Sequence, residues 1–137
     1  MNSKFLPMSF LLLAVFNQSA LAAQNTISLK NQRGSVLELK ILPDNKIAGY
    51  FTTAVASKTC PQAIDTKRPI TGYLLGNALT FSVSYPICDS VLSISGNFDN
   101  DKETLDTLSI LNKQASDITH EGPGARFIGH DFYKRLS

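Results

Sequence analysis

Four polar side chains stand in this sequence at alternating positions among apolar ones. Ser35 opens one such run, Thr53 and Ser109 lie within two others, and Asp131 lies within the last. Because successive side chains of a β-strand point to opposite faces, each of the four belongs to a mainly apolar face. Hydroxyl and carboxylate groups that converge over an apolar floor could bind the polar head of a small ligand through hydrogen bonds.

Each of these groups also has an explanation that involves no ligand. A buried polar atom can bond to the backbone, to another side chain or to water. Asn31, three residues before Gly34, can simply form a turn. For any one residue this explanation is favoured, and only the number of converging groups favours a ligand site.

The same residues do not predict an enzyme. Asp131 follows His130 directly, but neighbouring strand residues point to opposite faces and share a site only at a bulge. No pair of nucleophile and base is readable elsewhere. A metal site and a cofactor are not predicted either, because His120 and His130 lack a third ligand at a useful spacing.

The elements that must position these side chains are short strands. Alternating segments separated by Gly, Pro, Asn and Asp predict strands over 26–30, 34–42, 46–55, 69–76, 78–86, 90–98, 103–112 and 125–135. We therefore predict an all-β protein, an eight-stranded antiparallel up-and-down barrel, since closure removes exposed sheet edges. An open two-sheet sandwich is the alternative.

The predicted barrel places several of the polar groups at one end. Ser35 opens the second strand, Thr53 ends the third, and Asp131 falls in the end portion of the eighth. We expect these three at one mouth of the barrel.

The first 22 residues have the pattern of a secretory signal peptide. Lys4 precedes an apolar core, and Ala20-Leu21-Ala22 forms an A-x-A cleavage motif. The core is too short to span a bilayer comfortably. We expect cleavage near Ala22, one barrel domain over 23–137, and a secreted or periplasmic protein. Losing Lys4 leaves 12 of the 13 Lys and Arg residues against 11 Asp and Glu, a balance that predicts no nucleic-acid partner.

Both cysteines, Cys60 and Cys88, fall in the predicted mature chain. In an exported protein an even number of cysteines favours a disulfide, and two buried free thiols are the alternative. The two connections that contain them would lie at the same end of an up-and-down barrel. A bridge would then join two loops at one mouth.

Five segments of the chain, taken in order, resemble the avidin and streptavidin family over nearly all of the predicted mature length. They are NQRGSVLEL, KIAGYFTTAV, PITGYLLGNALTFSVSY, SISGNF and FIGHDFYKRL. Each is weak alone, and their order and spacing make the resemblance specific. The cysteine placement resembles that of the bacterial dimeric avidins, in which two mouth loops are bridged. The resemblance implies an eight-stranded barrel that binds biotin at one end.

The resemblance also implies roles for four polar residues. Asn31 and Ser35 match the two donors to the oxygen of biotin's ureido group. Thr53 matches a hydroxyl near one ureido nitrogen, and Asp131 matches the carboxylate that accepts from the other. Two donors and two acceptors suit a cyclic urea, which has one carbonyl and two N–H groups.

The departures from the family pattern predict a weaker site. Phe51 stands where a tyrosine donates to the ureido oxygen, although Tyr50 would take its place after a shift of one residue. The tryptophans that enclose biotin are replaced by Tyr85, Ile94 and Ser109, since the chain has no tryptophan. Leu92 stands where a hydroxyl contacts the ligand's sulfur, and no aromatic residue lies in 113–124.

Together these features predict a secreted, avidin-like protein that binds biotin with reduced affinity. One alternative is an avidin-fold barrel that has lost biotin and binds another small ligand. Another is a protein-interaction role, with an interior filled by Phe51, Phe81 and Tyr85. We expect a homodimer or homotetramer, because apolar residues would face outward on the barrel; these are Leu108, Ile110 and Ile128.

Overall fold

The structure, a computed structural model, describes residues 25–122, 124 and 126–137. The predicted signal peptide and its cleavage site lie outside the described residues. The eight strands are β1 (Thr26–Asn31), β2 (Val36–Ile41), β3 (Lys46–Thr52), β4 (Lys67–Leu75), β5 (Ala78–Tyr85), β6 (Ser90–Phe98), β7 (Thr104–Lys113) and β8 (Arg126–Arg135).

The strands form one closed antiparallel barrel in which each strand pairs with its neighbours in sequence. The barrel closes where β1 pairs with β8, with Leu29 opposite Arg135 and Asn31 opposite Tyr133. The predicted up-and-down barrel is confirmed, and the open sandwich is wrong. Closure pairs the first strand with the last, so neither is left as a free edge.

Strict alternation of apolar residues forms the core, as the sequence pattern predicts. Leu37 and Leu39 on β2, Phe81 and Val83 on β5, and Leu105 on β7 are all buried. Phe51 on β3 packs against Phe81, with ring centroids 6.1 Å apart. Burial of such side chains contributes about 1.5–3 kcal/mol each, which makes the alternating faces the main source of barrel stability.

One end of the barrel, which we call the mouth, carries the β1–β2, β3–β4, β5–β6 and β7–β8 connections. Cys60 and Cys88 lie in the second and third of these and form a disulfide, with Cα atoms 5.7 Å apart. The predicted bridge between two loops at one mouth is therefore confirmed. Cys60 directly precedes the 3₁₀ turn Pro61–Ala63, and Cys88 is the last residue of the 3₁₀ turn Pro86–Cys88.

Helical structure in the described residues is confined to connections. Besides the two 3₁₀ turns there is one four-residue helix, α1 (Ile118–Glu121), in the β7–β8 connection. The Asp117 side chain caps it by accepting from the backbone N–H groups of Thr119 and His120. Of the helices within the described residues, none could span a membrane.

Candidate functional site

A cavity of about 520 Å³ opens at the mouth of the barrel, a volume typical of small-ligand sites. The eight residues that the sequence predicts for a ligand site all line it. They are Asn31, Ser35, Phe51, Thr53, Tyr85, Ile94, Ser109 and Asp131. A self-filled interior is therefore wrong for the mouth half of the barrel.

Asn31 both shapes the β1–β2 turn and faces the cavity. Its Oδ1 accepts hydrogen bonds from the backbone N–H groups of Arg33 (3.0 Å) and Ser35 (2.9 Å). Gly34 completes the turn with a φ of 96°, which favours glycine. Because the oxygen is occupied, the NH₂ group is the part of the amide that can donate into the cavity.

The hydroxyls of Ser35 and Thr53 are bonded in opposite ways. Ser35 Oγ accepts from the backbone N–H of Ala54 at 2.9 Å, and among the described residues no acceptor takes its hydrogen. Thr53 Oγ1 donates to the carbonyl of Val55 at 2.6 Å and accepts from the Val55 N–H at 3.2 Å. Ser35 can therefore still donate to a ligand, whereas Thr53 can only accept.

The same local bonds explain a difference at the end of β3. The sequence predicts a strand to residue 55, but β3 ends at Thr52. The Thr53 hydroxyl bonds to both backbone groups of Val55 and replaces the strand pairing there.

Asp131 lies in the middle of β8, not near the end of the last strand as the sequence interpretation placed it. The end of β8 is at the far end of the barrel. Asn31, the last residue of β1, pairs with Tyr133, so Asp131 lies just beyond the end of β1. The stagger of barrel strands thus brings a mid-strand residue to the level of the β1–β2 turn.

The Asp131 carboxylate is held by the β1–β2 turn. Its Oδ1 accepts from Gln32 Nε2 at 2.8 Å and from Arg33 Nε at 2.9 Å. Gln32 is itself fixed, because its Oε1 accepts from the backbone N–H of Phe132 at 2.9 Å. Within the described part of the chain, no hydrogen bond reaches Oδ2, which is free to accept from a ligand.

The sequence interpretation missed Arg33 as a site residue. Its guanidinium pairs with Asp131 and lies 6.0 Å from the centre of the Phe127 ring. The feature of the sequence that could have identified Arg33 as a site residue was its position between Asn31 and Ser35 in a five-residue turn. A charged turn residue ordinarily points into solvent, and the sequence does not reveal the carboxylate that turns it inward.

Two buried tyrosines line the cavity. Burial raises the pKa of Tyr85 to about 12, against the opposing effect of the nearby Arg68 charge. Burial, followed by the charge of Asp131, also raises the pKa of Tyr133, while a hydrogen bond with Asn31 lowers it. Both phenols are therefore neutral near pH 7. Tyr133 was not predicted as a site residue, because its inward position in the alternating pattern of β8 fits a core residue equally well.

His130 lies outside the site, as strand alternation predicts. Its Nε2 is 2.6 Å from Asp106 Oδ1 on the outer surface, while Asp131 faces the cavity. Among the described residues, no group of three or more His, Cys, Asp or Glu side chains could hold a metal ion.

Comparison with known proteins gives one family and a set of similar structures. A model of the avidin family matches residues 20–136. A bradavidin2–biotin complex is 25% identical, with a TM-score of 0.63, over 81% of this chain and 96% of that one. Short afifavidin in complex with biotin is 25% identical, with a TM-score of 0.66, over 81% and 88%. A rhizavidin–biotin complex, 20% identical with a TM-score of 0.65 over 82% and 100%, shares the fold. No curated protein sequence matches the chain.

Proposed function

This chain belongs to the avidin family, and on that premise we propose that it is an exported biotin-binding protein of reduced affinity. It is a binding protein and not an enzyme. The observation that carries the proposal is the set of free donors and acceptors at one end of the mouth cavity. The bradavidin2 and short afifavidin structures contain biotin, which supports biotin as the ligand.

The free hydrogen-bonding groups match a cyclic urea. Ser35 has a hydroxyl hydrogen to donate and Asn31 an amide NH₂, because the other atoms of both groups are occupied by backbone partners. Thr53 can only accept, and Asp131 has an open Oδ2. Two donors would serve the ureido oxygen and two acceptors would serve the two ureido N–H groups.

The proposed reduction in affinity follows from what the cavity lacks. Phe51 faces inward and is buried, so the Tyr50 hydroxyl does not enter the site. One lost hydrogen bond costs about 1–3 kcal/mol. Ile94 and Ser109 line the cavity where aromatic walls, each burying up to about 200 Å², would otherwise stand.

Arg33 weakens the site further. It shares Oδ1 of Asp131 with Gln32, and an ion-paired carboxylate is a poorer acceptor for a neutral N–H group than a free one. Desolvating the charged pair under a ligand also opposes binding.

Titration calorimetry of biotin into the oxidised protein tests the proposal. We expect binding heat for the wild-type chain and about tenfold or greater weakening in Asp131→Asn, because a charge-assisted hydrogen bond is lost. Asp106→Asn is the matched control, since Asp106 contacts His130 on the outer surface. Absence of heat from the wild-type protein at high micromolar concentration would overturn the proposal.

We also propose that the chain forms homo-oligomers. Leu108 and Ile110 on β7 and Ile128 on β8 are exposed, and Ile110 lies directly opposite Ile128 in the sheet. A continuous exposed apolar patch of this kind is typical of a protein interface. The sequence interpretation of a dimer or tetramer remains a proposal.

Export remains a proposal as well. The Cys60–Cys88 disulfide supports it, since such bonds persist in oxidising compartments. Mass spectrometry of the protein purified from its native compartment would show an N-terminus near residue 23 if the predicted signal is removed.

A further inference from the structure

The hydroxyl of Tyr85 is buried and has no hydrogen-bond partner within residues 25–122, 124 and 126–137. Among the residues that the structure describes, it is the one buried side-chain nitrogen or oxygen atom in this condition. Only 4% of the residue is exposed, and it lines the mouth cavity. A buried polar atom without a partner costs free energy, so such an atom requires an explanation.

Packing does not explain the hydroxyl. Tyr85 is the last residue of β5 and continues the inward face of Leu79, Phe81 and Val83. Phenylalanine would continue that face and fill the same space without the unpaired oxygen. The hydroxyl is therefore unfavourable in the empty barrel and needs a partner that the described part of the chain does not provide.

The neighbourhood of the hydroxyl indicates where that partner would lie. Tyr85 lines the same cavity as Tyr133 and Asn31, and Tyr133 lies directly opposite Asn31 in the sheet. Asn31 belongs to the polar end of the cavity. Phe51 lines the same cavity with a ring that has no polar atom.

We propose that Tyr85 is a ligand-contacting, specificity-determining residue whose hydroxyl donates to an oxygen on the ligand's head, the ureido oxygen in biotin. It would supply the third donor to that oxygen, which Phe51 cannot. The inference rests on the proposed function. A contact of this kind favours ligands that carry a hydrogen-bond acceptor in the head over ligands that present only apolar surface there.

The state of the phenol agrees with this role. Burial raises its pKa to about 12, so the group keeps its proton and can donate at physiological pH. Because only the bound ligand satisfies the hydroxyl, its removal should affect the complex and spare the empty protein.

Tyr85→Phe tests the inference, with Tyr73→Phe as the matched control because Tyr73 is exposed on β4. Biotin and desthiobiotin, which share the urea and the tail and differ in the sulfur, are titrated into each protein. We expect Tyr85→Phe to weaken both ligands by the same factor, about 10- to 100-fold. We expect unchanged affinity in Tyr73→Phe and unchanged or greater unfolding stability of ligand-free Tyr85→Phe.

The possible results separate the inference from the proposed function. If wild-type protein binds biotin and Tyr85→Phe binds it equally well, the inference is wrong and the function stands. Weakening of biotin alone would assign the contact to the sulfur and overturn the head contact. A loss of ligand-free stability in Tyr85→Phe would show that the hydroxyl has a partner within the protein, which also overturns the inference. If the wild-type chain does not bind biotin, both proposals fall.

A spectroscopic signal supports the same test. The chain has four tyrosines and no tryptophan, so its near-ultraviolet absorption near the tyrosine maximum is not obscured. A new hydrogen bond at a buried phenol should add to the difference spectrum on biotin binding; we expect Tyr85→Phe to reduce the spectrum to the contribution of Tyr133, which also lines the cavity, and Tyr73→Phe to leave it unchanged.

Discussion

Arg33 and Asp131 form an ion pair at the polar end of the mouth cavity, with Arg33 Nε 2.9 Å from Asp131 Oδ1. The pair joins the β1–β2 turn to the middle of β8. The Asp131 side chain is 13% exposed and that of Arg33 is 38% exposed, so the carboxylate is nearly enclosed while the cation reaches solvent. The carboxylate that we propose as an acceptor for a ureido N–H group is therefore ion-paired in the ligand-free protein.

Replacing Arg33 should strengthen the binding of biotin. In Arg33→Gln the Asp131 carboxylate keeps its bond from Gln32 but loses the competing cation, so it becomes a better acceptor for a ureido N–H group. We expect affinity to rise several-fold and to depend less on salt, measured by titration calorimetry at two ionic strengths. Lys46→Gln, at the start of β3 and the far end of the barrel, is the charge-matched control. A fall in affinity would show instead that Arg33 positions the carboxylate or contacts the ligand.

The Cys60–Cys88 disulfide should stabilise both the barrel and its mouth. It joins the β3–β4 and β5–β6 connections and closes a separation of 28 residues, for which chain entropy predicts roughly 3–4 kcal/mol. The double variant Cys60→Ser, Cys88→Ser should lose about that much unfolding free energy in urea denaturation. Reductant should destabilise the wild-type protein to the same level and leave the double variant unchanged. Equal stability of the two oxidised proteins would contradict the prediction.

The strands were predictable because alternation is a property of neighbouring residues alone. Leu37 and Leu39 show it, and the predicted and observed bounds of β6 agree. The end of β3 was less predictable, because a single hydroxyl, that of Thr53, ends the pairing through its bonds to Val55. No alternation pattern records such a bond.

The polar residues of the site were predictable from their place on apolar faces, whereas their partners were not. Asp131 stands out among its neighbours, but its depth depends on the stagger of the closed barrel. Arg33 pairs with it across 98 positions of sequence, which no local pattern contains. That the Tyr85 hydroxyl has no partner among the described residues depends on the positions of its neighbours in the folded barrel, which the sequence does not contain.

The apolar patch on β7 and β8 should hold two copies of the chain together. Ile128, opposite Ile110 and 72% exposed, is the most informative position. We expect Ile128→Glu to shift the native mass toward the monomer, because a charge placed in an apolar interface has no partner. Leu75→Glu, which alters an equally exposed residue at the end of β4 near the far end of the barrel, should leave the native mass unchanged. A monomeric wild-type protein, or the same mass in both variants, would contradict the proposed interface.

Alkaline pH should destabilise the barrel through its two buried tyrosines. Burial raises the pKa of Tyr85 from 10.0 to about 12 and also raises that of Tyr133. Between pH 10 and about 12 the unfolded chain releases these protons and the folded chain retains them, so the unfolded state is increasingly favoured. We expect the contribution of these two tyrosines to the unfolding free energy to be constant below pH 10 and to fall above it. Urea denaturation at a series of pH values measures this. Tyr85→Phe should lessen the fall and Tyr73→Phe should not, because a phenylalanine at position 85 has no proton to release. An identical decline in both variants would show that other groups control the alkaline transition.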